Sequence, residues 1–269
     1  MALTTRDLYI AASAASQEVN LERTASRTAV GSAWFTVFDL AGNPGAGVLA
    51  GTSVAAGVVP TDATAGFPTI NAFTGANIGY IETLDFGNTV AGRLRLYDLL
   101  WKGGAYPFNA AQALAAQPSF ASRVTFGGVA DYKGVQIWIE CVTAFTGSQS
   151  IAVTYTNQDG VTGRTTGTVV TGIAPIVGRM LQLPLQAGDT GVQKIESVTS
   201  TISTVGTFNV LLMRRLWSGR CRTVNDGDVH GPDKTGLVQV FADSALYMIV
   251  CPDSTATGVP GLAIGLMNG

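Results

Sequence analysis

The chain has 269 residues, a formal net charge of −2 and only 13% charged residues, where a soluble domain usually carries about 25%. This balance excludes nucleic-acid binding through a broad polybasic surface. The abundance of Thr, Val and Gly predicts a mostly-β fold with many short turns. A surface so poor in charge is suited to contacts with neighbouring proteins, although an extracellular domain covered by Ser, Thr and Asn fits the composition as well.

The first 25 residues are predicted to form an N-terminal arm that contains a short helix. Thr4 and Asp7 have the spacing of a capping box, with Asp in place of Glu, and residues 11–19 are compatible with a helix. Such an arm either crosses onto a neighbouring subunit or packs on its own domain. The chain opens with no signal-peptide pattern, and no stretch reaches the roughly 18 apolar residues of a membrane span. We therefore expect a protein with no membrane partner.

Short apolar or alternating segments predict the strands of the first half. These segments are residues 33–40, 78–84, 91–101, 123–126, 134–142 and 150–156. Between them, Asn109 as N-cap and Pro118 as stop signal predict a short helix over 109–117. Residues 40–81 contain one charged residue, Asp62, and are predicted to form an uncharged loop system with one or two short strands. Regular short strands separated by turns favour a β-sandwich or a small β-barrel.

The chain also repeats itself at offsets of 110 to 116 residues. The matches are Ile81–Leu84 with Ile195–Val198, Gly92 with Gly206, Leu99–Trp101 with Arg215–Trp217, Ile137–Cys141 with Tyr247–Cys251, and Thr146–Asn157 with Thr257–Asn268. Their common order and slowly drifting offset are typical of a duplicated unit with small loop insertions. The sequence therefore predicts an arm over 1–25 and two tandem β domains, 26–148 and 149–269.

His230, the only histidine, lies in a polar loop that spans Thr223–Gly236. Asp226, Asp228 and Gly231 match positions 1, 3 and 6 of a calcium loop, but position 12 is Leu237 where calcium needs a bidentate Glu. We therefore predict a polar turn at an interface and no metal. A serine hydrolase is also excluded, because no nucleophile elbow accompanies the histidine.

Paired carboxylates are the remaining route to catalysis, as in a glycosidase. The candidates are Glu82, Asp85 and Asp98 in one group, and Asp131, Glu140 and Asp159 in another. Glu82 and Glu196 occupy equivalent positions of the repeat, which indicates a shared structural role, such as pairing with an arginine. The sequence therefore predicts no enzyme, no catalytic residue and no cofactor.

Trp217 is surrounded by four basic residues, Arg214, Arg215, Arg220 and Arg222. Basic residues beside an aromatic ring can hold single-stranded nucleic acid, but on a net-acidic chain they favour a subunit contact or internal packing. Trp101 and Trp217 are equivalent in the repeat and are predicted to anchor the two cores, whereas Trp34 and Trp138 lie in predicted strands. Exposed aromatic residues would instead support a sugar-binding platform.

The cysteines Cys141, Cys221 and Cys251 form no C-x-x-C pair, and their number is odd. Neither a disulfide framework nor a zinc ribbon is expected from this pattern. Because Cys141 and Cys251 lie in apolar strand-like segments, we predict that they are small buried hydrophobic residues.

Residues Ile151–Thr165 combine a strand with the sequence Asn-Gln-Asp-Gly and a return rich in Gly and Thr. This segment resembles virion structural proteins of tailed bacteriophages, as do the charge-poor composition and the repeated β unit. The resemblance implies a capsid decoration or cement protein that binds the major capsid protein or other virion proteins. It further implies a homo-oligomer, with a trimer favoured, located in the virion after assembly in the host cytoplasm. A tail, neck or connector component and a carbohydrate-binding surface module are the alternatives.

Three regions are expected to make the contacts of such a protein. They are the N-terminal arm, the charge-poor residues 41–73 and the Thr223–Gly236 loop. Deletion of residues 1–25 should then reduce assembly and leave the β core folded.

Overall fold

A computed structural model describes residues 5–73, 78–109, 111–172, 176–201 and 205–269. The chain is mostly β, with 51% strand and 7% helix, and it contains an N-terminal helix, a closed six-stranded barrel and several further sheets. This architecture confirms the predicted fold class of β-sandwich or barrel domains with a short N-terminal helix. Within the described ranges, no helix has both the length and the apolar character needed to cross a membrane.

The helices are α1 (Arg6–Ala14) and α2 (Pro232–Thr235), and a 3₁₀ turn occupies Ala121–Val124. The first ten strands are β1 (Gln17–Arg23), β2 (Trp34–Thr36), β3 (Gly42–Asn43), β4 (Ser53–Val58), β5 (Ile78–Asn88), β6 (Gly92–Pro107), β7 (Ala111–Ala113), β8 (Thr125–Phe126), β9 (Val129–Ala130) and β10 (Val135–Thr143). The remaining strands are β11 (Ser150–Asn157), β12 (Arg164–Thr165), β13 (Val169–Val170), β14 (Arg179–Leu183), β15 (Val192–Thr201), β16 (Thr207–Cys221), β17 (Asp226–His230), β18 (Gln239–Phe241), β19 (Leu246–Pro252) and β20 (Gly261–Asn268). Each of the six predicted strand segments overlaps one of these strands.

The chain divides into two compact units, and each unit is built from separate stretches of sequence. Unit 1 comprises Met1–Gly47, Thr61–Asp98 and Leu216–Gly269, and unit 2 comprises Val48–Pro60 and Leu99–Arg215. The long strands β6 and β16 each contribute residues to both units. The division therefore differs from the predicted segments 26–148 and 149–269, because both units take strands from both halves of the sequence.

Unit 1 is organised around a sheet with the strand order β17-β5-β20-β1-β3, to which β18 adds by pairing with β5. β19 also pairs with β2 and with β6 in this unit. Strand β1 pairs with β20 over six residue pairs, from Gln17–Leu266 to Glu22–Gly261, and its Val19 and Leu21 are buried in the core. Residues 17–23 are thus a core strand and not part of an arm, so deletion of residues 1–25 would break this sheet.

Unit 2 contains a second sheet with the order β12-β11-β15-β7, in which β13 also pairs with β11. Strand β10 pairs with β14 and β16 within the same unit, and β4 pairs irregularly with β6. The core of the unit lies between these strands and includes Trp101, Phe108, Ile137, Tyr155 and Phe208, each at most 1% exposed.

The two units pair their strands crosswise with respect to the sequence repeat. The repeat matches β5 with β15 and β11 with β20, whereas the structure pairs β5 with β20 in unit 1 and β11 with β15 in unit 2. Matched residues keep their register, because Leu84 lies opposite Ile264 and its counterpart Val198 lies opposite Val153. The duplication itself stays a prediction. A duplicated chain would have to fold so that strands from both copies pair within each unit.

Two pairs of matched glycines share a structural feature in the two units, one pair a backbone conformation and the other a close approach to a tryptophan. Gly147 and Gly258 both have φ of +72°, a conformation that residues with a Cβ rarely adopt. A Cβ on Gly103 would lie 2.3 Å from the Trp101 ring, and a Cβ on its counterpart Gly219 would lie 2.3 Å from the Trp217 ring. Only glycine allows each tryptophan to fold back over its own strand.

The helices that the sequence predicts are found only in part. Helix α1 begins one residue later than the capping-box pattern indicated, since the Thr5 hydroxyl accepts the hydrogen bond from the backbone N–H of Leu8 at 3.2 Å. The helix predicted over 109–117 is wrong, because residues Ala111–Ala113 form β7 and pair with β15; Ala110 lies outside the described residues. Alanine favours helix only weakly, and pairing with a neighbouring strand overrides that preference.

Candidate functional site

Several of the carboxylates proposed for a glycosidase have separate structural partners. Asp98 is buried and accepts hydrogen bonds from the Ser244 hydroxyl at 2.9 Å and the Ala245 N–H at 3.1 Å. Asp131 accepts the backbone N–H of Lys133 at 3.0 Å. Asp159 is exposed on a turn, where its carboxylate accepts the side-chain amide of the neighbouring Gln158, and Asp85 lies on β5.

Glu82 and Glu196 do share a structural role, as the repeat predicted. In both units the strand register shifts at this glutamate, between Ile81 and Thr83 and between Ile195 and Ser197, so that each residue forms a β-bulge. The partner type differs from the expected arginine, because Glu82 accepts the Tyr9 hydroxyl and Glu196 accepts the Thr156 hydroxyl, both at 2.7 Å. The hydrogen bond to Glu82 raises the pKa of Tyr9 to about 12.

The His230 segment forms a strand rather than a calcium loop. Strand β17 pairs with β5, and the carboxylate of Asp226 accepts the backbone N–H groups of Arg222 and Thr223. The ring atom Nδ1 of His230 accepts the indole N–H of Trp217 at 2.9 Å, which ties the histidine to an aromatic cluster. The described residues contain no group of three or more His, Cys, Asp or Glu side chains that could hold a metal ion.

The four arginines near Trp217 do not form one basic patch. Arg214 is buried and lies 5.1 Å from the centre of the Phe126 ring, whereas the next residue, Arg215, is exposed, because successive side chains of β16 alternate in direction. Arg220 forms an exposed ion pair with Asp253 at 3.3 Å. Arg214 therefore serves packing in unit 2, and Arg220 serves an ion pair on the surface of unit 1.

The predicted burial of Trp101, Trp217, Cys141 and Cys251 is confirmed. Trp101 and Trp138 are 0% exposed and Trp217 is 4% exposed, so none of these three rings offers a face to a sugar. The three cysteines are free and buried, and burial raises the pKa of Cys221 to about 11. Trp34 is half-buried beneath the guanidinium of Arg95, 4.2 Å from the ring centre.

A groove of about 510 Å³ in unit 2 runs along residues 193–196 of β15, next to the part of the strand that pairs with β7. Its wall includes Phe120 and Tyr132, whose rings meet edge to face at 5.7 Å. The side-chain amide of Gln117 donates to the carbonyl of Ile195 and accepts its N–H, and so imitates a paired strand. This edge of the sheet is therefore already satisfied by the chain itself.

Unit 2 also contains a buried polar cluster formed by Lys102, Glu140 and Asn209. The Lys102 and Glu140 side chains are 7% and 0% exposed, and the Lys102 Nζ lies 3.7 Å from the Glu140 Oε2. The same oxygen accepts the Asn209 Nδ2 at 2.7 Å. Both partners also bind the backbone of residues 48–51, since Lys102 Nζ donates to the Val48 carbonyl at 3.2 Å and Asn209 Nδ2 donates to the Leu49 carbonyl at 2.7 Å.

Sequence reasoning grouped Glu140 with distant carboxylates and missed this cluster. A signal was nevertheless present in the repeat, where Glu140 matches Val250 and Lys102 matches Ser218. In unit 1, Val250 lies opposite Leu94, as Glu140 lies opposite Asn209 in unit 2. Only the match of Glu140 with Val250 sets a charged residue against an apolar one, so the repeat singles out Glu140 but not its partners.

A second feature of unit 2 is an uncharged surface formed by Val54, Ala55, Ala111, Ala113, Ala115 and Ala116, all of which are exposed. It joins two stretches of sequence without any charged residue, 40–61 and 103–122. They meet where the Ala115 N–H donates to the Ala55 carbonyl at 2.8 Å. Strand β7 is also the last strand of its sheet. Sheet edges of soluble proteins are usually protected by charged side chains, and this edge has none.

No protein-family model matches the chain, and no curated protein matches it. Among solved structures, it is similar to the VP2 subviral particle of infectious bursal disease virus at 11% identity and a TM-score of 0.17, covering 94% of this chain and 80% of that chain. T=1 particles derived from the same virus give 11% identity, a TM-score of 0.17 and coverages of 94% and 76%. Backbones that superpose this poorly support no argument about fold or function.

Proposed function

We propose that the chain is a structural protein of a virion that acts by binding neighbouring protein subunits. The observation that carries this proposal is the uncharged surface of unit 2, where two charge-free segments expose alanine and valine at the edge of a sheet. A sheet edge without charges readily pairs with another chain. Small side chains also permit close approach, so that buried area and backbone hydrogen bonds supply the stability of the contact.

The more specific proposal is a capsid decoration or cement protein of a tailed bacteriophage, organised as a closed homo-oligomer, with a trimer favoured. It is supported by the resemblance of residues Ile151–Thr165, which form β11, a turn and β12. In that turn, the Asn157 Oδ1 accepts the N–H groups of Asp159 and Val161 at 3.0 and 2.9 Å. A place in the tail, neck or connector is the alternative within the same class of protein.

The test is the mass of the purified protein in solution, measured by size-exclusion chromatography with light scattering, alone and with empty phage capsids. A decoration protein should form a closed oligomer that elutes together with the capsids. A tail or connector component should form a ring that ignores them. A protein that stays monomeric and does not bind the capsids would contradict the structural role altogether.

Two variants connect this measurement to the proposed surface. Ala113→Glu and Val54→Lys place a charge at its centre, and each should convert the oligomer to smaller species because a buried unpaired charge is costly. Val161→Lys is the matched control, since Val161 is 50% exposed and lies on the turn after β11. An oligomer that tolerates the first two substitutions as well as the control would place the contact elsewhere on the chain.

A further inference from the structure

The buried polar cluster brings together three groups that can react with one another. Lys102 supplies a primary amine, Asn209 supplies a carboxamide, and the Glu140 carboxylate lies within 3.7 Å of the amine and 2.7 Å of the amide nitrogen. Glu140 faces Asn209 directly across the β10–β16 pairing. The amine and the amide therefore share one carboxylate oxygen as a common neighbour.

We propose that Lys102 and Asn209 become joined by an isopeptide bond between Nζ and Cγ, formed by the protein itself with Glu140 as proton carrier. The bond would link strand β6 to strand β16 through their side chains. This modification site is independent of the virion proposal, because it follows from the interior of unit 2 alone.

The reaction balances without any external reagent. Glu140 takes a proton from the Lys102 ammonium, and the Nζ lone pair attacks Cγ of Asn209 to give a tetrahedral centre. The carboxylic acid then protonates Nδ2 and takes up the proton that the new C–N bond leaves on Nζ. The C–Nδ2 bond breaks and ammonia departs with one further proton from Glu140. An ammonium and a carboxamide thus yield a secondary amide and an ammonium ion, and Glu140 returns to its starting state.

The surroundings of Asn209 favour this attack. The Gly51 N–H donates to the Asn209 Oδ1 at 2.9 Å, and it would stabilise the negative charge that develops on this oxygen in the tetrahedral centre. The Leu49 carbonyl and Glu140 hold the amide nitrogen in place. Because the three side chains are buried, water does not compete as the nucleophile, and the fixed geometry replaces a bimolecular encounter.

The strand pairing does not require charged side chains at the position of Glu140. A purely structural role therefore does not explain why the cluster is polar. In unit 1, Val250 matches Glu140 in the repeat and pairs with Leu94, and both are 0% exposed, whereas Ser218, which matches Lys102, is an exposed polar residue. Apolar residues can replace a buried ion pair at little or no cost in stability. An amine, a carboxylate and a carboxamide at one such position therefore suggest chemistry that apolar residues would not provide.

Mass spectrometry of the intact, denatured full-length protein tests the proposal directly. The mass should fall short of the sequence mass by one ammonia molecule. Because trypsin does not cut after an acylated lysine, digestion should give one branched peptide that joins residues 96–123 to residues 195–214. Lys102→Met, Asn209→Ala and Glu140→Gln should each restore the full mass. Lys133→Met is the control and should keep the deficit, since Lys133 is exposed on the same unit.

A wild-type protein that keeps its full sequence mass after prolonged incubation would overturn the proposal, whatever the variants do. A deficit that persists in Lys102→Met would also overturn it, because ammonia would then be lost elsewhere, for example at the Asn268–Gly269 pair. The wild-type mass and the branched peptide are decisive even where a variant fails to fold.

Discussion

Units 1 and 2 share a plan of strand pairing but differ in what they bury. Both pair their matched strands crosswise, and both place a glutamate bulge at the same point of the sheet. At one matched pair, however, unit 1 buries Val250 opposite Leu94, whereas unit 2 buries Glu140 opposite Asn209. The same strand plan therefore accepts either an apolar pair or a polar pair that includes a charged residue at this position.

A second matched position repeats this contrast. Leu266 of unit 1 corresponds to Tyr155 of unit 2, whose hydroxyl donates to Asp189 at 2.7 Å. Asp189 also accepts the Asn157 amide at 2.8 Å and the Arg164 Nε at 2.9 Å. Unit 2 therefore relies on specific polar networks at places where unit 1 relies on apolar packing.

The largest expected effect comes from breaking the buried polar cluster at one member. Glu140→Val leaves the Lys102 ammonium buried without its carboxylate, which should lower the free energy of unfolding by about 3–5 kcal/mol. The triple variant Lys102→Met, Glu140→Val and Asn209→Leu makes the site apolar and should be more stable than the single variant, because no charge is then left buried without a partner. Urea unfolding followed by tryptophan fluorescence measures both.

Neither variant can form the proposed isopeptide bond, so their difference reports the removal of the unpaired charge together with the loss of the Asn209 hydrogen bonds to Leu49 and Gly51. A triple variant no more stable than Glu140→Val would show that unit 2, unlike unit 1, cannot accept an apolar interior at this position.

A smaller, pH-dependent effect is expected at Asp189. The hydrogen bond from Arg164 is the main cause that lowers the pKa of Asp189 from 3.8 to about 2. A lowered pKa in the folded state stabilises the protein above the unfolded value, and this contribution disappears as the pH falls from about 4 to about 2. Asp189→Asn should therefore cost on the order of 1–2 kcal/mol at pH 7 after allowance for solvent screening, and progressively less below pH ~4.

Thermal unfolding of both proteins at several pH values measures this dependence, with the exposed Asp159→Asn as control. A cost of Asp189→Asn that stays constant down to pH ~2 would mean that the ionised carboxylate is not the stabilising group.

Much of the β framework could be predicted from the sequence, because strand periodicity and burial are local properties. The segments at 78–84, 134–142 and 150–156 correspond to β5, β10 and β11, and Trp101 and Trp217 are core residues as the repeat indicated. The prediction of a helix over 109–117 was wrong because the structure of this segment depends on a distant strand and not on its local sequence. Its alanines favour helix locally, but the edge of β15 provides hydrogen-bond partners that no local pattern reveals.

The pairing partners and the buried polar cluster could not be read from the sequence in the same way. A repeat identifies which strands correspond, but whether β5 pairs within its own half or with β20 depends on tertiary packing. Likewise, Lys102, Glu140 and Asn209 are far apart in sequence and meet only because β6, β10 and β16 bring them together. The predicted N-terminal arm was too long for a related reason. Its last part is strand β1, in which the apolar residues Val19 and Leu21 alternate with polar ones, and this short pattern does not reveal the partner strand.

The hydroxyl contacts of the two bulges provide a finer comparison of the units. Tyr9→Phe removes the hydrogen bond from α1 to Glu82 and should cost about 1 kcal/mol. Because no residue of α1 is buried, this loss should increase hydrogen exchange in residues 6–14 and leave β5 protected. The matched variant in unit 2 is Thr156→Val, which removes the equivalent bond to Glu196. Unchanged exchange in α1 after Tyr9→Phe would show that contacts other than this bond hold the helix.

The smallest effect is expected for the exposed ion pair of unit 1, and it sharpens the contrast with the buried cluster of unit 2. Arg220 and Asp253 lie 3.3 Å apart, closer than Lys102 and Glu140, but their side chains are 58% and 42% exposed. Water screens such a pair, so Arg220→Ala should change the free energy of unfolding by less than about 0.5 kcal/mol.

Arg27→Ala, which removes a pair with Asp39 at 10% and 22% exposure, should cost more. Equal costs for the two variants in urea unfolding would mean that burial does not set the strength of these pairs. The large loss of unfolding free energy expected for the buried cluster of unit 2 would then have no basis in burial.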